Sequence, residues 1–246
     1  MFDRISATVG ARVSVIRPLL AAGAVLGFLG AAIVGNATPS AEEARRIPPA
    51  LHDVAATGTT QTAIFAGGCF WGVQGAFQHV AGVISATSGY AGGSEETATY
   101  ELTESGRTGH AEAVEIVFDP KTISYGQILE IFFSTVHDPT QVDKQGPDIG
   151  KQYRSAIFPR DEEQAAVASD YIGQLNTAAV FTRRIATTIE AGKTFYRAES
   201  YHQDYMYNNP SQPYIAIHER PKIESLRRLF PALYRETPVL VADRAG

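Results

Sequence analysis

The sequence predicts an α+β fold, a two-layer sandwich in which helices cover a mixed sheet built on a split βαβ, ferredoxin-like core. Three observations point there. Short apolar runs such as Ala63-Ile64-Phe65-Ala66 and residues 111–118 alternate with period two, the spacing of half-buried strands. Other stretches, with Val73, Ala76, Phe77 and Val80 or with Ile128, Leu129, Phe132, Phe133 and Val136, recur at helical spacing. The two patterns follow one another as β-α-β and again β-α-β, with extra elements and no repeat period. At 246 residues, 44% hydrophobic and 19% charged, the chain suits one sizeable domain with appendages.

Residues 1–37 are of a different kind. Arg4, Arg12 and Arg17 precede an uncharged apolar run over 18–34 and the small residues Gly35-Asn36-Ala37, the layout of an export signal cleaved after Ala37. The run is long for a cleaved signal and just short of a comfortable membrane span, so an uncleaved membrane tether fits it too. On either reading the body is exported, periplasmic or anchored to the membrane facing the periplasm. The segment carries three Arg and one Asp, so its removal takes the formal net charge from −5 to −7, which argues against a nucleic-acid partner. Residues 38–60, rich in Ala, Glu, Arg, Pro and Thr, read as a flexible linker without a core of its own.

The domain then opens with a strand at 62–66, a turn at Gly67-Gly68 and a helix over 69–80. Gly82 breaks the helix and 83–87 reads as a second strand. Residues 89–109 hold several glycines and little periodicity, so they read as a long loop carrying Tyr90 and Tyr100, either toward a site or as ordinary surface packing. The strand at 111–118 ends at Asp119-Pro120, and Ser124 with Gln127 forms a capping-box pattern opening a helix to about residue 136. Residues 137–150 read as loop, 153–158 as strand, and Asp161 with Gln164 opens another helix. A strand near 180–189, a short helical piece at 198–206, a basic helix over 221–230 and a tail complete the chain.

The chemistry concentrates in Gly67-Gly68-Cys69-Phe70-Trp71-Gly72, which holds the protein's one cysteine and one tryptophan. A thiol at the first turn of a helix meets unpaired N–H groups and a partial positive charge, enough to bring an ordinary value of ~8.5 down to roughly 7. The alternative is a buried, inert cysteine. With a single cysteine no internal disulfide can form, and a free thiol in an exported protein suggests a redox task. On the strand at 111–118, alternation sets Glu112 on the apolar face with Val114, Ile116 and Phe118, where burial raises a carboxyl's pKa and keeps it able to donate a proton. Its place near the start of the strand also allows it to reach water. Neither His-Glu-x-x-His nor Cys-x-x-Cys occurs, so no metal is expected.

This block resembles the A class of peptide methionine sulfoxide reductases, whose signature is Gly-Cys-Phe-Trp-Gly. The resemblance continues through Ser88-Gly89-Tyr90-Ala91-Gly92-Gly93, Gly106-Arg107-Thr108-Gly109-His110-Ala111-Glu112, His137-Asp138-Pro139-Thr140-Gln141, Gln152-Tyr153-Arg154-Ser155 and Ala198-Glu199-Ser200-Tyr201-His202-Gln203-Asp204-Tyr205, covering about residues 61–217. It implies reduction of L-methionine S-sulfoxide in oxidised proteins or peptides, with Cys69 as nucleophile and Glu112 as proton donor. It further implies that Tyr100 and Tyr153 hydrogen-bond the sulfoxide oxygen and that Asp148 lies beside the active-site water and the substrate backbone. Phe70 and Trp71 would form the apolar slot for the methyl group on sulfur. Pro147 stands where Asn is more usual in the family. Many relatives carry C-terminal resolving cysteines, whereas residues 210–246 contain none. The chain therefore resembles a one-cysteine form, with no bound cofactor and an external thiol reductant, a thioredoxin-like protein or a small thiol. Three other readings compete: a thiol peroxidase, whose Pro-x-x-x-Thr-x-x-Cys neighbourhood is missing; a cysteine hydrolase, which needs a histidine beside Cys69; and an exported peptide-binding module using Trp71 and the loop tyrosines.

Overall fold

The computed structural model describes residues 43–241. The export segment expected at 1–37, with its tether over 18–34, lies outside the described residues. Among those described, no helix is long and apolar enough to cross a membrane.

Strand β1 (Gln61–Gly67) runs into helix α1 (Phe70–Gln78), and β2 (Val83–Ala91) returns. After the short helix α2 (Tyr100–Thr103) comes β3 (Ala111–Phe118), which pairs antiparallel with both β1 and β2. β1 and β2 are thus parallel to each other on the two sides of β3, with α1 as the crossover, which is the split βαβ arrangement. α3 (Tyr125–Ile131) starts from the expected capping box of Ser124 with Gln127 and continues as a π-helical turn, Phe132–Val136. β4 (Lys144–Gln145) and β5 (Asp148–Ile149) make a small hairpin, and β6 (Ser155–Ile157) lies antiparallel to β1. α4 (Glu162–Thr177) is capped by Asp161. β7 (Thr188–Ile189), parallel to β6, and β8 (Phe195–Arg197), antiparallel to β2, complete a mixed six-stranded sheet of order β7-β6-β1-β3-β2-β8. α5 (Tyr205–Asn208) and α6 (Arg220–Leu229) follow, the latter entered through a π-helical turn, Ile215–Glu219.

Phe65, Val114, Ile116 and Phe118 face the helices and form one core with Phe77, Ile128 and Phe132. Phe65 is its centre, with ring centroids 4.7 Å from Phe132 and 6.1 Å from Phe77. Fully burying such a side chain stabilises the fold by about 1.5–3 kcal/mol. The opposite face of the sheet carries Ile64 and Phe158 among alanines. The α+β sandwich expected from the sequence is the one observed.

Several boundaries differ. β2 extends to Ala91, so Gly89, Tyr90 and Ala91 belong to a strand rather than a loop, held by β3 on one side and β8 on the other. Tyr153 lies in a 3-10 turn before β6, because Gly150 turns the chain there. The strand expected over 180–189 shrinks to Thr188–Ile189, and the piece at 198–206 is a 3-10 turn at Ser200–His202 followed by α5.

The linker reading of 38–60 fails over its described part. Ile47, 3% exposed, enters the main core; Arg46 Nε donates to Glu130 at 2.8 Å, and the Tyr171 hydroxyl donates to the Pro48 carbonyl at 2.6 Å. A composition poor in large apolar residues hid the one isoleucine that docks. No structural boundary falls at 217 either. α6 packs on α1 with Leu226 and Phe230 in the core, and the backbone from Leu233 to Val239 bonds to the end of α1 and the turn after it.

Candidate active site

β1 delivers the chain to Gly67-Gly68, and Gly68 takes φ +90, a left-handed conformation that favours glycine. A Cβ there would stand 2.6 Å from Gln145 Cγ, so the turn is closed on its outer side as well. Cys69 is the N-cap of α1, as the sequence predicts, and is 7% exposed. The next residue ties the thiol to β3: Phe70 N–H donates to Glu112 Oε2 at 3.0 Å. Glu112, 4% exposed, faces the core side of the sheet opposite Tyr90 in the β2–β3 register. That settles its placement against the water-reaching alternative.

Burial pushes the Glu112 carboxyl up to about 8, against the single N–H bond from Phe70; the charges of Asp148, Glu219 and Glu104 push the same way as burial. At neutral pH it is a carboxylic acid with a proton to give. The thiol behaves differently from the expectation of a value near 7. Cys69 is raised well above the ordinary thiol range, first by burial, then by Glu112 and Glu219, while the Trp71 N–H and Lys222 act against these. The helix terminus does favour the thiolate, but loss of hydration and two carboxyl neighbours outweigh it.

The aromatic residues wall this pair. Phe70 is buried, with its ring centroid 5.8 Å from that of Tyr90 and 4.9 Å from that of His202. Trp71 stacks on Tyr205, centroids 3.8 Å apart at 11°, and meets Tyr214 edge-on at 6.3 Å. Its indole Nε1 donates to His202 Nδ1 at 3.1 Å. An indole nitrogen only donates, so His202 Nδ1 accepts and the ring's proton sits on Nε2. Burial, which pulls the His202 pKa down, keeps the ring neutral.

The remaining predicted residues reach the same place. The Tyr100 hydroxyl is pushed up to about 12, chiefly by burial and also by Glu104, Glu112 and Cys69. Tyr153 is raised further, by burial and then by Glu112 and Cys69. Both phenols stay protonated and available as donors. Asp148, half-buried in β5, accepts from the Tyr214 hydroxyl at 2.5 Å; burial raises its carboxyl against that bond. The structure thus brings Glu112, Phe70, Trp71, Tyr100 and Tyr153 to Cys69, with Asp148 reaching the same region through Tyr214. Tyr214, Glu219, Lys222, His202 and Tyr205 were not anticipated. His202 and Tyr205 stand inside a recognisable sequence block, but no local pattern marks the others. Among the described residues no cluster of three or more His, Cys, Asp or Glu is placed to hold a metal ion.

A family model described as peptide methionine sulfoxide reductase matches residues 61–232, and a peptide methionine sulfoxide reductase MsrA 2 from Mesorhizobium japonicum is 56% identical over 196 residues, 80% of this chain and all of that protein. The chain belongs to the peptide methionine sulfoxide reductase family. A second relative, the peptide methionine sulfoxide reductase MsrA 2 of Synechocystis, is 47% identical over 188 residues, covering 75% of this chain and 88% of its own. Among solved structures, Mxr1 of Saccharomyces cerevisiae in its reduced form superposes with TM-score 0.54 at 31% identity, over 63% of this chain and 88% of that one. Methionine sulfoxide reductase A of Corynebacterium diphtheriae gives 0.53 at 33% identity, over 63% and 78%. The reductase family match runs through α6, consistent with the packing of that helix on α1.

Proposed function

We propose that this oxidoreductase reduces methionine S-sulfoxide in oxidised proteins and peptides by attack of Cys69 Sγ on the sulfoxide sulfur, with Glu112 as the acid. The observation that carries this reading is a buried thiol at the start of α1 joined through Phe70 N–H to a carboxyl held neutral near pH 7. As Sγ attacks, Glu112 gives its proton to the sulfoxide oxygen and is reprotonated by the proton the thiol releases. The substrate's sulfur–oxygen bond breaks, the hydroxyl ends on Sγ as a sulfenic acid, and methionine leaves. The substrate sulfur gains two electrons and Cys69 loses two.

Tyr100 and Tyr153, kept as phenols, donate to the sulfoxide oxygen as it becomes more basic. Phe70 and Trp71 present rigid apolar walls to the methyl group, and Asp148 with Tyr214 lines the polar side. The chain's only cysteine has no sulfur partner within the molecule, so an external thiol reduces the sulfenic acid, releasing water and forming a mixed disulfide that a second thiol resolves. A thioredoxin-like protein or a small thiol meets that need. The apolar segment at 18–34, after three arginines, supports export and hence repair of exported proteins.

Single-turnover reduction of an S-sulfoxide peptide with no added reductant tests the scheme. About one methionine per protein, with Cys69 left as a sulfenic acid, is expected. Absence of methionine from folded protein with a free thiol would overturn it in favour of a peptide-binding module.

A further inference from the structure

A second carboxylate reaches the start of α1 from the C-terminal part of the chain. Glu219, 2% exposed, lies so close to Gly72 that a Cβ on that residue would stand 1.3 Å from its Oε2 and 2.8 Å from Lys222 Nζ. Lys222 Nζ meets the same oxygen at 2.6 Å, with little solvent on either side chain. Glycine at 72 is therefore what admits an ion pair against the first turn of the helix that carries Cys69. That turn is where backbone partial charge most favours an anion. The Cys69 sulfur and the Glu219 carboxylate both lie against it, while Glu112, which keeps its proton, accepts the Phe70 N–H.

We propose that the Glu219–Lys222 ion pair is a positioning element for the reaction, fixing the charge against the first turn of α1 so that Cys69 waits as a thiol until substrate enters. The proposal rests on Cys69 being the reacting sulfur. Its logic is one of opposite signs. The carboxylate works against a negative sulfur, and the ammonium holds that effect in check; both act on Cys69 in those directions. Glu112 from β3 and the phenols of Tyr100, Tyr153 and Tyr214 also face the sulfur; the phenols carry no charge near neutrality, and Glu112, which loses its proton near 8, adds its charge to wild type and variants alike where the thiol titrates. Beyond Tyr214 lies the Asp148 carboxyl, spent on its hydroxyl.

The test is the pH profile of Cys69 alkylation by iodoacetamide, read cleanly because the protein has one cysteine. Glu219→Gln leaves the ammonium alone beside the sulfur and is expected to lower the midpoint by about one pH unit, about tenfold faster alkylation at neutral pH. Lys222→Met strands the carboxylate and is expected to raise the midpoint by about as much. Shifts in the same direction, or no shift, overturn the proposal. If Lys222→Met does not fold, the uncharged pair Glu219→Gln with Lys222→Met decides: its midpoint is expected above that of Glu219→Gln alone, and equal midpoints overturn the proposal. A structural loss would expose the buried sulfur and speed alkylation of both variants, a shift in the same direction. Failure of the catalytic reading would show in single turnover and leave this profile unchanged.

Discussion

Glu112 from β3 and Glu219 from the turn before α6 approach the same helix start, and they meet burial by different means. Glu112 has the Phe70 N–H as donor and, among the described residues, no cation paired with it, so it keeps its proton. Glu219 faces the Lys222 ammonium at 2.6 Å. A buried carboxylate left uncompensated costs several kcal/mol, and the two residues show the two ways of avoiding that. What separates them is chemical use. A neutral acid holds a proton that can be transferred during reaction, whereas an ion pair holds a fixed local charge. A thiol flanked by two carboxyl groups is workable only when each is neutralised in one of these ways.

The sharpest way to break this contrast is to remove the reacting atoms. Cys69→Ser is expected to abolish methionine formation in single turnover, and Glu112→Gln to reduce it by roughly 10²–10⁴-fold while the circular dichroism spectrum stays unchanged. A Glu112→Gln enzyme near wild-type rate would deny the acid role.

A pH titration comes next. Reduction is expected to fall as pH rises through about 8, where the Glu112 proton is lost. The same shift has a sign for stability. The folded value is raised above the ordinary 4.5, so the neutral form's contribution is complete below about pH 4.5, shrinks as pH rises and is gone above about 8. Glu112→Gln is therefore expected to gain melting temperature over wild type across that window, the gap widening with pH. A constant gap would mean that this carboxyl is not raised in the folded protein.

Smaller effects fall on the walls. Tyr205→Ala removes a stacked partner worth about 0.5–1.5 kcal/mol and is expected to raise KM several-fold with a smaller change in kcat, because Trp71 loses its support. His202→Ala is expected to do the same through the lost indole bond, about fivefold for about 1 kcal/mol. Smallest is Tyr214→Phe, which deprives Asp148 of one donor and is expected to lower kcat/KM by only a few fold.

These regions also differ in how far the chain announces them. The β1–α1–β3 wall is local: period-two alternation places Glu112 on the core face, and the change of period at Gly67-Gly68 places Cys69 at a helix start. The basic helix read at 221–230 is observed as α6. Nothing in its pattern shows that Lys222 and Glu219 come to Gly72, some 150 residues earlier, because the contact depends on how α6 packs rather than on spacing. The thiol's ionisation fails for a related reason. The helix terminus is legible in sequence, but the desolvation that overrides it exists only once the domain has closed over the sulfur. The docking of Ile47 and Pro48 leaves no mark in the sequence pattern because single residues, not a period, carry it.

The recessed sulfur at the base of α1 has one more consequence, for how copies of the protein meet. A disulfide requires Cα atoms within about 7 Å of each other and sulfurs in bonding contact. Two copies, each with its thiol sunk behind its own aromatic rim, cannot satisfy that without opening both sites. The lone cysteine is therefore badly placed to serve as a crosslinking handle. What can reach it is a narrow group rather than a second folded surface.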